Sequence, residues 1–286
     1  MSRRSKFILG TLAAFLLLAG VAYSQLPVIG AGALLHPART RARIAPPPSC
    51  KDVTFQGDGI PLRGWRCAAT GAPRGTIVWL HGVADNHASA AGLVDRFARR
   101  GFAIVAYDSR AHGDSGGEAC TYGYYEKQDL MRVLDTVEGR PIVLIGDSLG
   151  GAVALQEAAE DSRVTAVVAA EAFSDLRTVA TERAPRMFTP PILRAAFARA
   201  AAEGHFDVDA VSPATAAARI RVPVLLIHGD ADVNTPPDHS RRILAALAGP
   251  KRLLLVPGAT HNQSLRPEVW RDIEQWIDQL QLGSTH

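Results

Sequence analysis

Ser148 lies in a sequence context typical of an activated nucleophile. It is the centre of a Gly-Asp-Ser-Leu-Gly pentapeptide (residues 146–150) that follows an apolar run (142–145) and precedes a helix-like stretch (152–159). A sharp turn between a strand and a helix lifts the serine hydroxyl clear of the sheet, and the flanking glycines leave room for neighbouring chain. The N–H groups that begin the helix point toward any anion formed there. The alternative interpretation is a tight turn with an idle serine.

A serine hydroxyl needs a base to remove its proton, and the base needs an orienting carboxylate. Asp230 and Asp232 both follow the apolar run 222–227. His261 follows the run that ends at Val256 and, among the nine histidines, is the one that combines this position with the right chain order. The order serine, acid, histidine is that of one known triad arrangement. Position alone does not separate the two aspartates, because an aspartate after a strand often holds a turn.

Two backbone N–H groups are predicted to stabilise the developing oxyanion. One belongs to Leu149, directly after the serine, and the other to Val83, in the loop after the apolar run 76–80. Loss of one such donor costs roughly 3 kcal/mol of transition-state stabilisation. Because the backbone supplies the donor, the side chain of Val83 is not expected to take part.

Apolar runs of four to six residues alternate with helix-like stretches through most of the chain. This alternation is typical of a parallel sheet covered by helices on both faces, with functional groups beyond the carboxyl ends of the strands. We therefore predict an α/β protein with a mostly parallel, doubly wound sheet. The predicted strands span 76–80, 102–107, 142–145, 164–170, 222–227 and 253–256, and the predicted helices span 87–100, 124–137, 237–247 and 267–280.

Residues 174–219 interrupt the alternation. They are rich in alanine and arginine, permit helices and contain three prolines, Pro185, Pro190 and Pro191. An insertion between two core strands near the carboxyl edge would cover the pocket as a small helical cap. The alternative is an extra helical layer packed to one side.

The N-terminal segment, residues 1–36, is predicted to engage a membrane. An uncharged run of about 17 residues (7–23) follows a basic tip, and weaker apolar character continues through 28–35. This length is at the short limit for spanning a bilayer. A retained anchor is favoured, and a signal peptide cleaved near residues 22–24 is the alternative, which would leave a secreted or periplasmic protein.

The orientation follows from the flanking charges. Arg3, Arg4 and Lys6 before the apolar run favour a catalytic domain on the extracytoplasmic side. Three arginines between residues 39 and 43 weaken this preference. Residues 37–49 contain three consecutive prolines and are predicted to form a stiff linker to a domain spanning 50–286.

Residues 51–56 and 61–67 are predicted to form a hairpin around Asp58 and Gly59. A two-residue turn there places Cys50 opposite Cys67, close enough for a disulfide in an oxidising compartment. A register slip of one residue removes the pairing, and the alternative is two unrelated small apolar residues.

The composition excludes several classes of function. Apolar residues make up 47% and charged residues 21% of the 286 residues, as in ordinary globular proteins. The net charge of +3 comes without a basic stripe, so no nucleic-acid partner is expected. The three cysteines match no metal-site spacing.

These features together resemble the α/β-hydrolase superfamily, especially its small-capped, serine-aminopeptidase-like branch, which includes single-pass membrane-anchored hydrolases. The resemblance extends from Cys50 to the final helix and implies a sheet of about eight strands. The family pattern H-G-x-x-D assigns the acid to Asp232, and the pattern H-G-x supports Val83 as a donor. The matching motifs lie at residues 80–82, 108–117, 146–150, 228–232 and 259–261.

The segment 108–117 is similar to a structural loop near the active-site mouth, and no catalytic role is expected for it. Ala111 stands where glycine is often found in this branch, a difference that affects the shape of the loop and not the chemistry.

The resemblance implies a serine hydrolase with no metal or organic cofactor. A carboxylesterase is expected, while lipase, acyl-thioesterase and peptidase activities stay open. A haloalkane dehalogenase is excluded, because it would need a carboxylate in place of Ser148. The expected partners are a small-molecule acyl substrate, with lipid-derived esters as one option, and the membrane through residues 7–23. The competing hypothesis is a catalytically idle, membrane-tethered binding module of the same fold.

Overall fold

A computed structural model describes residues 3–280 of the chain. It contains one eight-stranded sheet in the order β1-β2-β4-β3-β5-β6-β7-β8. β1 pairs with β2, and β2 with β4, in antiparallel fashion, whereas every other neighbouring pair is parallel. The predicted mostly parallel α/β sheet is confirmed. The strands are β1 (Cys50–Gln56), β2 (Pro61–Cys67), β3 (Gly75–Leu80), β4 (Phe102–Tyr107), β5 (Ile142–Asp147), β6 (Val164–Ala170), β7 (Val224–Gly229) and β8 (Lys251–Val256).

Helices connect the parallel strands and cover both faces of the sheet. The helix predicted over 87–100 is divided into a short α-helix between two 3₁₀ turns, and the other predicted helices are shorter by up to three residues at an end. The helices are α1 (Arg3–Ser24), α2 (Leu26–Leu35), α3 (Ala91–Phe97), α4 (Glu126–Leu134), α5 (Leu149–Ala158), α6 (Leu176–Arg183), α7 (Pro190–Gly204), α8 (Pro213–Ala217), α9 (Asp238–Ala246) and α10 (Pro267–Gln279).

Side chains alternate between two apolar layers, one on each face of the sheet. On β3, Ile77 and Trp79 join the layer beneath α3 and α10, while Val78 and Leu80 join the layer beneath α4, α5 and α9. Successive side chains of a strand point to opposite faces, so a strand buried on both faces is apolar throughout. This double burial explains the continuous apolar runs of the sequence.

The N-terminal hairpin has the predicted register. Cys50 lies opposite Cys67, and the two residues form a disulfide that joins β1 to β2. The third cysteine, Cys120, has a buried free thiol. The cross-strand pairing hypothesis therefore agrees with the structure.

Three helices lie between β6 and β7, in the region predicted as an insertion. α6 and α7 pack outside the main helical layer, with α7 against α2, whereas α8 packs with α5 and α9. Residues near the end of the predicted 174–219 segment thus belong to the layer that covers the sheet. We use the term cap for α6, α7 and the turn between them (184–189).

The structure differs from the predicted domain boundary at residue 36. Ala31 and Leu35 of α2 are buried, and α2 packs along α7 instead of standing apart from the folded domain. Hydropathy placed α2 in the predicted membrane segment, because apolar residues suit a lipid environment and a protein interface equally well. Arg3–Leu35 is long and apolar enough to cross a membrane by length and composition.

Candidate active site

Ser148 occupies a strained turn between β5 and α5. Its backbone has φ +48° and ψ −107°, a left-handed conformation that is unfavourable for a residue with a side chain. The Ser148 N–H donates to the carbonyl of Ala170 at 2.8 Å, which ties the turn to β6. A Cβ on Gly150 would lie 1.9 Å from the carbonyl oxygen of Leu80, so the turn requires glycine there.

A hydrogen-bonded chain runs from Ser148 through His261 to Asp232. Ser148 Oγ lies 3.1 Å from His261 Nε2, and His261 Nδ1 lies 2.7 Å from Asp232 Oδ2. Ser148 is 5% exposed and Asp232 is 3% exposed. The three residues chosen from the sequence are therefore brought together in one cluster, with Ser148 and Asp232 buried and His261 partly buried, although they are far apart in the chain.

The environment of Asp232 keeps its carboxylate ionised. Burial by itself would raise the pKa of Asp232, but hydrogen bonds from His228, His261 and the Thr235 N–H outweigh burial and hold the pKa well below its ordinary value. Oδ1 also accepts the N–H groups of Asn234 and Thr235, each at 2.9 Å. A fixed anion at this position can orient an imidazole and stabilise its protonated form.

Asp230, the other candidate for the acid, has a different hydrogen-bond partner. It is exposed, and its Oδ1 accepts the N–H of Gly258 at 2.7 Å. This bond joins the turn after β7 to the turn after β8. Asp230 therefore holds a turn, while Asp232 contacts the histidine.

Glu171 is part of the site, and the sequence analysis missed it. It is fully buried, has φ +51°, and its Oε2 lies 3.5 Å from His261 Nδ1. Its carboxylate accepts the N–H groups of Asn262 and, at 3.0 Å, Ser264. Glu171 thus holds the loop that carries the histidine. Its position immediately after β6 was the signal, since the carboxyl ends of parallel strands share one edge.

The predicted oxyanion donors flank the serine. Leu149 is the first residue of α5, and Val83 lies in the loop after β3. A Cβ on Gly82 would lie 3.7 Å from the Cβ of Ser148, so this loop passes close to the nucleophile. N–H groups at a helix N-terminus favour an anion.

The loop at 108–117 is held by its own buried aspartate. Asp108 accepts the backbone N–H groups of His87 and Asp114, at 2.7 and 2.9 Å. Burial by itself would raise the pKa of Asp108, but its hydrogen bonds to His87 and Asp114 lower it overall. Ala111 has φ +59°, which explains why glycine suits this position. These contacts agree with a structural role.

Glu171, Asp232 and His261 also offer ligand atoms within 4.8 Å of one another, as a metal site would. Each of these groups is already engaged: the carboxylates accept backbone N–H groups, and His261 Nδ1 is directed at Asp232. The donor set is thus arranged as a proton-transfer chain.

The fold and the site define an α/β hydrolase. Residues 71–216 match the model of the family described as serine aminopeptidase, S33, and the chain belongs to that family of hydrolases. This finding confirms the family resemblance seen in the sequence.

Curated relatives match most of the chain. The uncharacterized protein YfhR of Escherichia coli (strain K12) is 29% identical over 246 residues, covering 81% of each chain. The uncharacterized protein YqkD of Bacillus subtilis (strain 168) is 27% identical over 235 residues, covering 78% of this chain and 77% of the relative. Human monoglyceride lipase is 28% identical over 114 residues, covering 38% of this chain and 37% of the lipase.

Solved structures share the fold at low sequence identity. The Pyrococcus furiosus esterase Pf2001 has a TM-score of 0.69 and 20% identity, covering 86% of this chain and 98% of the esterase. An acetyl xylan esterase from Paenibacillus sp. R4 has a TM-score of 0.67 and 21% identity, covering 91% of this chain and 93% of that enzyme. At these identities the likeness supports the fold alone.

Proposed function

We propose that this protein is a serine hydrolase that cleaves carboxylic esters through an acyl-enzyme on Ser148. The observation that carries the proposal is the hydrogen-bonded chain Ser148–His261–Asp232, with distances of 3.1 and 2.7 Å. The strained turn holds the hydroxyl beside the imidazole of His261, which can take its proton.

In the first half of the reaction, Ser148 Oγ bonds to the carbonyl carbon while His261 Nε2 takes the hydroxyl proton. The carbonyl electrons move to the oxygen, where the N–H groups of Leu149 and Val83 stabilise the negative charge. The C–O bond of the ester then breaks, and the alcohol leaves with the proton held by His261. Asp232 stabilises the imidazolium throughout.

In the second half, water attacks the acyl-enzyme and His261 takes the proton of that water. The bond between Ser148 Oγ and the acyl carbon breaks, and the serine recovers its proton from His261. The products are a carboxylic acid and a regenerated enzyme. Every proton that His261 takes is returned, so the cycle needs no metal or organic cofactor.

A carboxylic ester is the proposed substrate class, with thioesters and amides as alternatives. A monoglyceride lipase among the sequence relatives supports an ester. The family description names a peptidase, but members of one fold act on many acyl compounds. The site itself acts on the carbonyl that all these substrates share.

Labelling with a fluorophosphonate probe tests the assignment, with a Ser148→Ala variant of the full chain as its control. We expect the probe to label the wild type and not the variant. Hydrolysis of p-nitrophenyl acetate should be lost in parallel. Equal labelling of both proteins would exclude Ser148 as the nucleophile, and a folded wild type without Ser148-dependent turnover would favour an idle binding module.

We further propose that α1 is a retained anchor, with its N-terminus in the cytoplasm and the folded domain on the extracytoplasmic side. The 22 residues of α1 extend for about 33 Å, enough for a hydrocarbon core of about 30 Å. The basic residues Arg3, Arg4 and Lys6 and the Cys50–Cys67 disulfide support this orientation.

Mass spectrometry of the protein from washed membranes tests the anchor. We expect an intact N-terminal peptide and resistance to extraction at alkaline pH. A new N-terminus near residues 22–24 in a soluble fraction would show signal cleavage instead.

A further inference from the structure

A cavity of about 330 Å³ lies beside the oxyanion loop. Val83 lines it at the base, next to the site, and Tyr122 lines it from the core domain. The side chains that α6 and α7 contribute are apolar apart from Arg183 and include Leu176, Val179 and Leu193. A mostly apolar pocket of this volume, at the small end of the range for ligand sites, suits the hydrophobic part of a ligand.

Another wall comes from α2, the helix that follows the proposed membrane anchor α1. Gly30, Ala33 and Leu34 line the cavity from this side. The segment after α1 therefore contributes directly to the space in which a substrate would lie.

Several contacts fix α2 in this position. The Leu35 carbonyl accepts the N–H of Cys120 at 2.8 Å, and the Leu34 carbonyl accepts the hydroxyl of Tyr122 at 3.0 Å. A Cβ on Gly30 would lie 2.8 Å from the ring of Phe188 in the cap, so glycine permits this close approach. These contacts make α2 an integral part of the folded domain.

The same wall lies next to the end of the membrane segment. α1 ends at Ser24 and α2 begins at Leu26. The hydroxyl of Tyr23 lies 3.3 Å from Thr189 Oγ1, which brings the end of α1 to the turn of the cap. Met187 in that turn is 60% exposed. Tyrosine is typical of the membrane interface, and an exposed apolar residue there can contact lipid.

We propose that α2 and the cap form an acyl-chain pocket, and that the substrate is a membrane lipid ester that presents one acyl chain. This inference rests on the proposed esterase activity. The chain lies between α2 and the cap, with its ester carbonyl at Ser148. Hydrolysis breaks the ester C–O bond, adds water, and releases the fatty acid and the alcohol headgroup.

Acyl-length selectivity of the full-length protein in detergent micelles tests the pocket. The ratio of kcat/KM for p-nitrophenyl laurate to that for the acetate is measured in wild type and in Ala33→Trp. We expect Ala33→Trp to lower this ratio at least about tenfold, because the indole fills space that a long chain needs. The matched control is Gly32→Trp on the neighbouring position, where a Cβ would contact nothing within 4 Å. It should keep the wild-type ratio.

A second variant enters the cavity from α7 and guards against misfolding of the first. Leu193→Trp on α7 should lower the same ratio, and fluorophosphonate labelling reports whether each variant retains a folded site. An unchanged ratio in labelled Ala33→Trp and Leu193→Trp would overturn the acyl pocket, as would an equal loss in Gly32→Trp. Equal acetate hydrolysis by wild type and Ser148→Ala would instead contradict the proposed function. The experiment therefore distinguishes failure of the acyl pocket from failure of the proposed function.

Discussion

The carboxyl edge of the sheet and the wall formed by α2 and the cap are built differently. At the sheet edge, backbone packs directly on backbone, and a Cβ on Gly150 would meet the Leu80 carbonyl at 1.9 Å. Along α2 and α7, small residues meet side chains, and a cavity of about 330 Å³ stays open beside them. Rigid backbone contacts hold reacting groups in place, whereas side-chain walls can change size with little effect on the sheet.

The sheet edge and the wall formed by α2 and the cap suit different tasks. Catalytic geometry must hold to a fraction of an ångström, and the sheet edge meets this demand with strained turns at Ser148 and Glu171. Substrate selection needs only a space of suitable shape. Substitutions at the edge should therefore affect turnover and stability, while those in the wall should affect which substrate is chosen.

The largest effect is expected from Asp232→Asn. Replacing the carboxylate that contacts His261 should lower kcat about 10³- to 10⁴-fold, because the imidazolium loses its counter-charge and the neutral imidazole loses the acceptor that fixes its tautomer. Hydrolysis of p-nitrophenyl acetate measures the change. Asp230→Asn is the control, since Asp230 contacts Gly258 instead, and it should keep wild-type turnover. Similar losses in both variants would contradict the choice of acid.

Gly150→Ala should destabilise the protein, since its new methyl group overlaps the Leu80 carbonyl. We expect the free energy of unfolding to fall by about 1–3 kcal/mol. Urea titration in detergent, followed by tryptophan fluorescence, measures it. Gly32→Ala on α2 should be neutral or stabilising by up to about 1 kcal/mol, because its position is open and helical. A stable Gly150→Ala protein would mean that the turn is less tightly packed than described.

Asp147 should make stability depend on pH. Burial, and then the negative charges of Glu171 and Asp85, raise its pKa from 3.8 to about 8. The unfolded chain ionises first, so this group progressively destabilises the fold as the pH rises from about 4 to about 8, and the penalty is constant above that.

Thermal unfolding of Asp147→Asn and wild type at pH 5 and pH 8 measures this contribution. The variant should gain a few degrees of Tm relative to wild type at pH 8 and gain less at pH 5. A difference in Tm that is the same at both pH values would show that Asp147 does not titrate in this range.

Glu171→Gln should have the smallest effect on turnover. The amide has one acceptor oxygen where the carboxylate has two, so the bonds to the Asn262 and Ser264 N–H groups cannot both be kept at full strength. We expect kcat to fall about tenfold, in line with the loss of a hydrogen bond to a charged group, with KM unchanged. Steady-state kinetics separates kcat from KM, and a change in KM alone would argue against a role in positioning His261.

The residues of the hydrogen-bonded chain could be chosen from the sequence because each follows a strand. Ser148, Asp232 and His261 come three to five residues after apolar runs, and chain order and motif spacing distinguish them from other serines, acids and histidines. The hairpin register was predictable for a similar reason, because the short turn at Asp58 and Gly59 sets which residues face each other. Local sequence patterns are therefore enough to predict residues at strand ends and the register of a short hairpin.

Glu171 and α2 could not be interpreted in the same way. The role of Glu171 depends on β6 lying between β5 and β7, which sets the glutamate beside His261. The burial of Ala31 and Leu35 depends on α7 lying against α2. Hydropathy shows only that the residues of α2 are apolar. It does not show whether lipid or another helix covers them.

The sequence by itself determined the fold class, the candidate nucleophile and the order of the candidate site residues, because alternating apolar runs, glycine turns and strand ends are local features. The tertiary structure decided which second carboxylate holds the loop of His261, and that α2 lines a cavity beside Val83. These outcomes depend on strand order and helix packing, which bring together residues that are distant in the chain.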